Sequence, residues 1–361
     1  QPVVDRGSLE LFIDVLIAHG LQARQARAHR RDVARGTGAA LLTAQAADAP
    51  KAGAPPAEPT YLTAETAGPD FLLQGEYGGD KLGADVIALG KDTFRLVLHK
   101  GGLPGAGWDG SAKTEVEGKR SGEGVSFAGA IKAELKDGTL SGQTADGEGF
   151  VLKRVVRHSP TEGAQPPVGA VILFDGSNAD AWNGGHLDER KLLAAGTTSK
   201  QAFQDFTLHL EFLLPFKPLG RGQGRANSGV YVQNRYEVQV LDVYNNKTYA
   251  DGQAGGLYGM WPPLHNAMKK PGQWNTYDVI FEGPLFDAEG KVTRKASVTV
   301  LHNGVALHHK QEFNGPSGHQ NTPKYFKYDG TGPIRLQDHG DPVRFRNIWI
   351  RPLGEYDQPE K

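Results

Sequence analysis

The chain of 361 residues contains no cysteine. Without a thiol there is no cysteine nucleophile, no iron–sulfur cluster, no thiolate zinc site and no disulfide. An excess of charge of one sign is missing as well: 40 Lys and Arg stand against 41 Asp and Glu, a formal charge of −1. Proteins that grip nucleic acid carry a basic footprint, so a nucleic-acid partner is not expected and a neutral or weakly charged one is. No run approaches the roughly 18 consecutive apolar residues of a membrane span, which predicts a soluble chain without a membrane-crossing segment. No Walker loop and no G-x-S-x-G elbow occurs, and the single G-x-G-x-x-G spelling, at 105–110, opens no helical pattern. A nucleotide cofactor and serine acylation are therefore not expected.

What the chain has in excess is glycine, 48 residues without a Gly-X-Y period. Glycine of that kind belongs in turns, and between the turns lie short runs rich in Val, Phe, Tyr and Thr, so the expected class is all-β. Length alone suggests about two domains. Residues 1–67 stand apart as a tail. Apolar residues at near-helical spacing predict an amphipathic helix within 8–34, followed by an Ala/Pro/Gly-rich linker. Arg30-Arg31, a short apolar patch and Ala44-Gln45-Ala46 resemble an export signal with its cleavage site; a loosely docked tail is the other reading. Residues 68–157 read as an antiparallel meander of seven or eight strands at about ten-residue spacing, forming a small sandwich or open barrel of unclear role. A Pro-containing linker occupies 158–170. Residues 171–353 carry nine or more strands with longer loops and no helical periodicity, the pattern of a jelly-roll β-sandwich, and 354–361 form a C-terminal tail. The stretch 245–272 shows neither strand nor helix pattern, and loops of that length in compact domains usually serve function.

Strand alternation assigns side chains to faces. Phe206, Leu208, Leu210 and Phe212 share one face, with Thr207, His209 and Glu211 opposite. Tyr236, Val238 and Val240 face the core, with Glu237 and Gln239 opposite. Ile334 and Leu336 point inward, with Arg335, Gln337 and His339 outward. Polar outer faces are common in sandwiches and most are simply solvated. Gln, Arg and His beside aromatic-rich loops suit a carbohydrate instead, because planar side chains bond hydroxyls in pairs and rings cover C–H faces. Glu237 is a candidate base or a surface carboxylate paired with Arg235 or Arg335. His339 is a candidate acid or base or a turn histidine. Lys247 and Tyr258, in the long loop, could stabilise an enolate. The run 175–180 is oxygen-rich but lacks EF-hand spacing and reads as a turn.

Beyond these faces, several blocks carry a resemblance. LFDG at 173–176, NSGVY at 227–231, YEVQVLD at 236–242, K-x-Y-A-D-G-Q-A-G at 247–255, W-N-x-Y-D-V at 274–279, RLQDHG at 335–340 and RFRNIW at 344–349 occur in order. The second module thereby strongly resembles the 3-keto-disaccharide hydrolase domain family. The resemblance implies a concanavalin-like, laminarinase-like β-sandwich, a bacterial periplasmic or secreted location, and action on glycosides whose glucose C3 is a ketone. Such a ketone acidifies the C2 proton; a base removes it, an enolate forms, the C1 substituent departs with acid help, and water adds to give net hydrolysis. In that scheme Glu237 is the leading base and His339 its acid or base partner. Arg335, Gln337, Gln239 and Lys247 bind hydroxyls or the enolate oxygen, and Asn227, Asp242, Tyr258 and Asp338 are further binders. The route needs no nicotinamide in this chain, and a divalent metal near the carboxylates is possible as an alternative to Lys247. The competing reading is a non-catalytic carbohydrate-binding sandwich. An ordinary glycosidase would need an acidic pair such as Glu237 and Asp242, whose opposite strand parity argues against a shared groove.

Overall fold

The computed structural model describes residues 58–319 and 321–354. The helix expected within 8–34, the export pattern at 30–46 and the tail beyond 354 lie outside the described residues. Eight strands come first: β1 (Gly75–Gly78), β2 (Leu82–Gly90), β3 (Thr93–Lys100), β4 (Thr114–Ser121), β5 (Gly124–Phe127), β6 (Lys132–Lys136), β7 (Thr139–Gln143) and β8 (Gly149–Val155). Each pairs antiparallel with the next, and β8 returns to β1 with Tyr77 opposite Arg154. The meander thus closes into a barrel, which leaves no strand edge unpaired.

Burial along these strands follows their surroundings. β6, KAELK, alternates between solvent and the barrel interior. β2 and β3 are instead buried on both faces: Ala84, Val86, Phe94 and Leu96 fill the barrel, while Ile87 and Val97 join the hydrophobic core of the following domain. One barrel end is stopped by Phe71, from the short helix Pro69–Leu73, packed edge-on against Phe216 with ring centroids 5.4 Å apart. The other end opens into a cavity of about 740 Å³ lined by residues that include Lys81, Lys100, Ile131 and Phe150.

The second half is a sandwich. Its strands are β9 (Val171–Phe174), β10 (Trp182–Asn183), β11 (Leu193–Ala194), β12 (Thr197–Phe203), β13 (Phe206–Leu213), β14 (Ser228–Val232), β15 (Tyr236–Val240), β16 (Trp274–Glu282), β17 (Leu285–Phe286), β18 (Val292–Arg294), β19 (Ser297–His302), β20 (Val305–Glu312), β21 (Gly332–Leu336) and β22 (Arg344–Pro352). A five-stranded sheet runs β10-β12-β21-β14-β15; a seven-stranded sheet runs β11-β22-β13-β16-β19-β20, with β9 also on β22. Phe206, Leu208, Leu210, Phe212, Tyr277, Val279 and Phe281 from the larger sheet meet Val230, Val232, Tyr236, Val238, Val240, Ile334 and Leu336 from the smaller, all fully buried. The all-β class, with a sandwich behind a smaller antiparallel domain, is the architecture expected from the sequence.

The polar faces, grouped together in the sequence reading, separate here. β15 and β21 belong to the five-stranded sheet, whereas β13 lies in the seven-stranded one, so His209 and Glu211 face the opposite side of the molecule. Period-two alternation assigns a face within a strand and cannot say which sheet the strand joins. His209 and Glu211 are fully buried there. His209 Nδ1 is 2.7 Å from Asp278 Oδ1, Arg346 donates to Glu211 at 2.7 Å, and the Gly163 amide donates to Glu211 at 2.6 Å. Thr161 donates to Asp278 at 2.6 Å. Burial opposes a charge on His209, but Asp278 and Glu211 outweigh it and push the imidazole up to about 9. The stretch 159–164 is therefore strapped across this sheet by a network of charge-assisted hydrogen bonds.

Candidate active site on the five-stranded sheet

The outer face of the five-stranded sheet carries a continuous polar row, and strand register dictates it. Asn183 stands opposite Thr198, Thr198 opposite Arg335, Arg335 opposite Tyr231, and Tyr231 opposite Glu237. Beyond the edge strand the long loop adds one more member: Leu257 bridges antiparallel to Val238, and the Tyr258 amide donates to the Glu237 carbonyl at 3.3 Å. A second row lies beside the first, with Gly229 opposite Gln239 and the Gln337 amide bonded to the Gly229 carbonyl.

Glu237 is the centre of this face. It is only 2% exposed, and Tyr231 Oη donates to its Oε2 at 2.6 Å. Burial raises its carboxyl; the Tyr231 hydrogen bond and the Arg335 charge pull it back, and the balance is a value of about 7. Arg335 lies over the Tyr231 ring, Cζ 3.9 Å from the centroid, near enough for its charge to act on the carboxylate. Gly229 forms the floor. A Cβ there would overlap Glu237 Oε1 and stand 3.1 Å from Gln337 Oε1, so both side chains converge on the space that only glycine leaves free.

Two loops rim the groove, tied by Gln223. Its Nε2 donates to Thr248 Oγ1 at 2.8 Å and to the Gly252 carbonyl at 3.0 Å; its Oε1 accepts from Gln239 at 3.1 Å and Asn227 at 3.2 Å. On the far side of Glu237 the Ser317 hydroxyl accepts from the Glu237 amide at 2.9 Å. Buried polar atoms normally have partners; among the described residues Asn227 Oδ1 and Arg335 Nε, both on this face or its rim, are two of the buried side-chain atoms without a hydrogen-bond partner.

The structure brings together Glu237, Gln239, Arg335, Gln337, Asn227 and Tyr258 from among the sequence candidates. His339 and Asp338 lie on the exposed turn after β21, where Asp338 accepts from the Gly340 amide at 2.8 Å. Asp242 is fully buried, bound by Arg225 Nε at 2.7 Å, and does not share the groove. Lys247 is largely exposed and reaches Glu115 on the barrel at 3.6 Å. Tyr231, Gln223 and Ser317 line the same face or its rim, and Tyr249 and His319 are joined to it through Tyr258 Oη at 2.6 and 2.8 Å; none of the five is among the sequence candidates. Tyr231 was legible, since Val230 and Val232 take the core in its strand; the others come from loops, where no period assigns a direction. The oxygen-rich run at 175–180 is a turn, with the Ser177 amide bonded to Asp175 and the Asp180 amide to Asn178, both at 2.9 Å. Among the described residues no three His, Asp or Glu side chains gather as a metal-binding group, so the groove's own groups are a carboxyl, phenols, amides and a guanidinium.

No curated protein matches the chain. Three solved structures from Parabacteroides distasonis, each a candidate glycosyl hydrolase, are similar to it. The first is 40% identical over 52% of this chain and 85% of its own, with a TM-score of 0.49. The second is 23% identical over 51% and 99%, TM-score 0.37. The third is 19% identical over 52% and 95%, TM-score 0.37. The family model of the 3-keto-alpha-glucoside-1,2-lyase-like domain matches residues 169–351, which takes in the whole five-stranded sheet and both rim loops. With half of its length covered in this way, the chain belongs to the 3-keto-alpha-glucoside-1,2-lyase-like domain family.

Proposed function

We propose that the chain cleaves 3-keto-glycosides by elimination, with Glu237 as the base that removes the C2 proton. One observation carries this reading: a nearly fully buried carboxyl at about 7, one oxygen fixed by Tyr231, above a floor of glycine. A carboxylate poised near neutral pH is matched to proton abstraction next to a ketone. In the first step the C2–H bond breaks, the proton passes to Glu237 and the electron pair moves onto the C3 oxygen as an enolate. In the second the pair returns to form the C1–C2 double bond, the C1–O bond breaks, and the departing oxygen takes up a proton. The products are the free alcohol or sugar and an enone, to which water adds to give net hydrolysis.

The Arg335 guanidinium, beside Glu237, offers positive charge to the enolate oxygen. Gln239, Gln337 and Asn227 are proposed to bind ring hydroxyls, and His339 and Asp338 to act at the rim. Asp242 is committed to Arg225, which removes it from the acid pair an ordinary glycosidase would need. An exported, periplasmic or secreted location goes with this reading, motivated by the pattern at 30–46; cell fractionation that finds the full chain in the cytoplasm would end that part.

Purified protein incubated with a panel of 3-keto-disaccharides should release free sugar and an ultraviolet-absorbing enone or its hydrate. Glu237→Gln should lower kcat by about 10²–10⁴-fold, the usual worth of a positioned proton-transfer group. In wild type kcat/KM should rise with pH through about 7 as Glu237 ionises. No turnover across the panel, with unoxidised glycans still bound by the Glu237→Gln, His339→Ala double variant, favours a carbohydrate-binding module instead.

A further inference from the structure

The proposed elimination needs a proton for the departing oxygen as well as a base for C2, and the base is already assigned. We infer that Tyr258 donates that proton, with His319 behind it as the group that returns it from solvent. The assignment rests on the elimination reading and adds the residue that acts on the leaving group.

Register supplies the first argument. The antiparallel bridge between Val238 and Leu257 puts Tyr258 directly across from Glu237. Leu257 is fully buried in the core, so its neighbour turns to the same outer face as the carboxylate. Directly opposed residues hold their Cβ atoms about 5 Å apart. A base acting at C2 and an acid acting at the oxygen on C1 must reach neighbouring carbons, and this pair has that spacing.

Hydrogen bonding supplies the second. Tyr258 Oη lies 2.8 Å from His319 Nδ1 and 2.6 Å from Tyr249 Oη, and the Tyr258 ring stacks on the imidazole with an interplanar angle of 22°. His319 and Tyr249 are exposed while Tyr258 is half-buried, so the chain of groups leads from the groove to water. Burial, Tyr249 and the Glu237 charge hold the phenol above its ordinary range, so it keeps its proton at neutral pH and gives it up to a strong base such as a departing sugar alkoxide.

The step balances. As the C1–O bond breaks, its electron pair goes to the leaving oxygen. Tyr258 transfers its proton there and becomes a phenolate. A proton taken from water through His319 restores the phenol. No oxidant, reductant or further reactant enters.

The test compares two leaving groups in full-length protein: a 3-keto-disaccharide, whose sugar alkoxide needs a proton, and the matching nitrophenyl 3-keto-glucoside, whose phenolate leaves without one. Tyr258→Phe keeps the ring and its packing. Its kcat should fall by about 100-fold on the disaccharide and by less than about fivefold on the nitrophenyl substrate. His319→Ala should show a smaller loss with the same preference, and added imidazole should restore it while leaving Tyr258→Phe unchanged. A wild type active on both substrates whose Tyr258→Phe variant is slowed equally on both, or on neither, overturns the assignment alone. A wild type inert on both overturns the elimination reading and the assignment with it.

Discussion

Replacing Glu237 by Gln should make the protein more stable at neutral pH while removing its activity. The carboxyl is raised from its ordinary 4.5 to about 7, with burial the largest cause. A displacement of that size corresponds to about 3 kcal/mol at 1.36 kcal/mol per unit, less whatever relaxation around the charge recovers. The sign follows from which state holds the proton. Below about pH 4.5 both folded and unfolded chains carry a neutral Glu237, and its pKa shift leaves wild type at no disadvantage. Between 4.5 and 7 the unfolded chain loses the proton and the folded one keeps it, so wild type loses stability as pH rises. Above 7 the deficit is constant. Gln cannot ionise, and its carbonyl still accepts from Tyr231. Thermal unfolding of the two proteins across about pH 4 to 9 should give Tm values whose difference widens over this window in favour of Glu237→Gln, reaching on the order of 5 °C. Other titrating groups cancel in the comparison. Parallel Tm curves, or a wild type that is the more stable at pH 8, would falsify the claim that this carboxylate is held at a cost to folding.

Gly229→Ala should lower kcat/KM by about 100-fold with Tm nearly unchanged, because the new methyl group drives the Glu237 carboxylate back by about 1 Å while the backbone conformation suits alanine; steady-state kinetics with full activity would show that the carboxylate does not work from this position. Arg225→Met leaves the fully buried Asp242 without its cation and should cost about 3–5 kcal/mol in urea unfolding, whereas adding Asp242→Asn should recover part of the loss. His209 is raised from 6.5 to about 9 by carboxylates that outweigh its burial, so its contribution is complete below about 6.5 and fades as pH climbs through 9. His209→Gln should abolish that decline in stability, and an unchanged slope in the variant would place the titrating group elsewhere.

Much of this fold was legible in the sequence because alternation, turn spacing and family blocks are local signals. The strands of the barrel, the core faces of β13, β15 and β21, and the outward placement of Glu237, Gln239, Arg335 and Gln337 follow from period two. Long-range pairing was not legible. Closure of the barrel depends on β1 meeting β8 across some seventy intervening residues, and no local pattern announces it. The same limit joined His209 and Glu211 to the wrong neighbours. Lys247 and Asp242 show a different limit: their types suited an anion site and a carboxylate pair, but Lys247 turns to the barrel and Asp242 is consumed by Arg225. Tyr258 became interpretable only through its bridge to β15, since a loop residue has no intrinsic direction.

The strap at 159–164 has a consequence for what counts as a module. Similarity to the family begins at residue 169, yet Thr161 and the Gly163 amide satisfy Asp278 and Glu211 inside that boundary. Cutting the gene where the similarity starts would remove the Thr161 and Gly163 donors and uncover this cluster, leaving Glu211 with Arg346 and Asn347 and Asp278 with His209 alone. The unit that inheritance recognises and the unit that satisfies these buried charges are therefore different lengths of chain. Any transplant of this domain into another protein has to carry its upstream strap along.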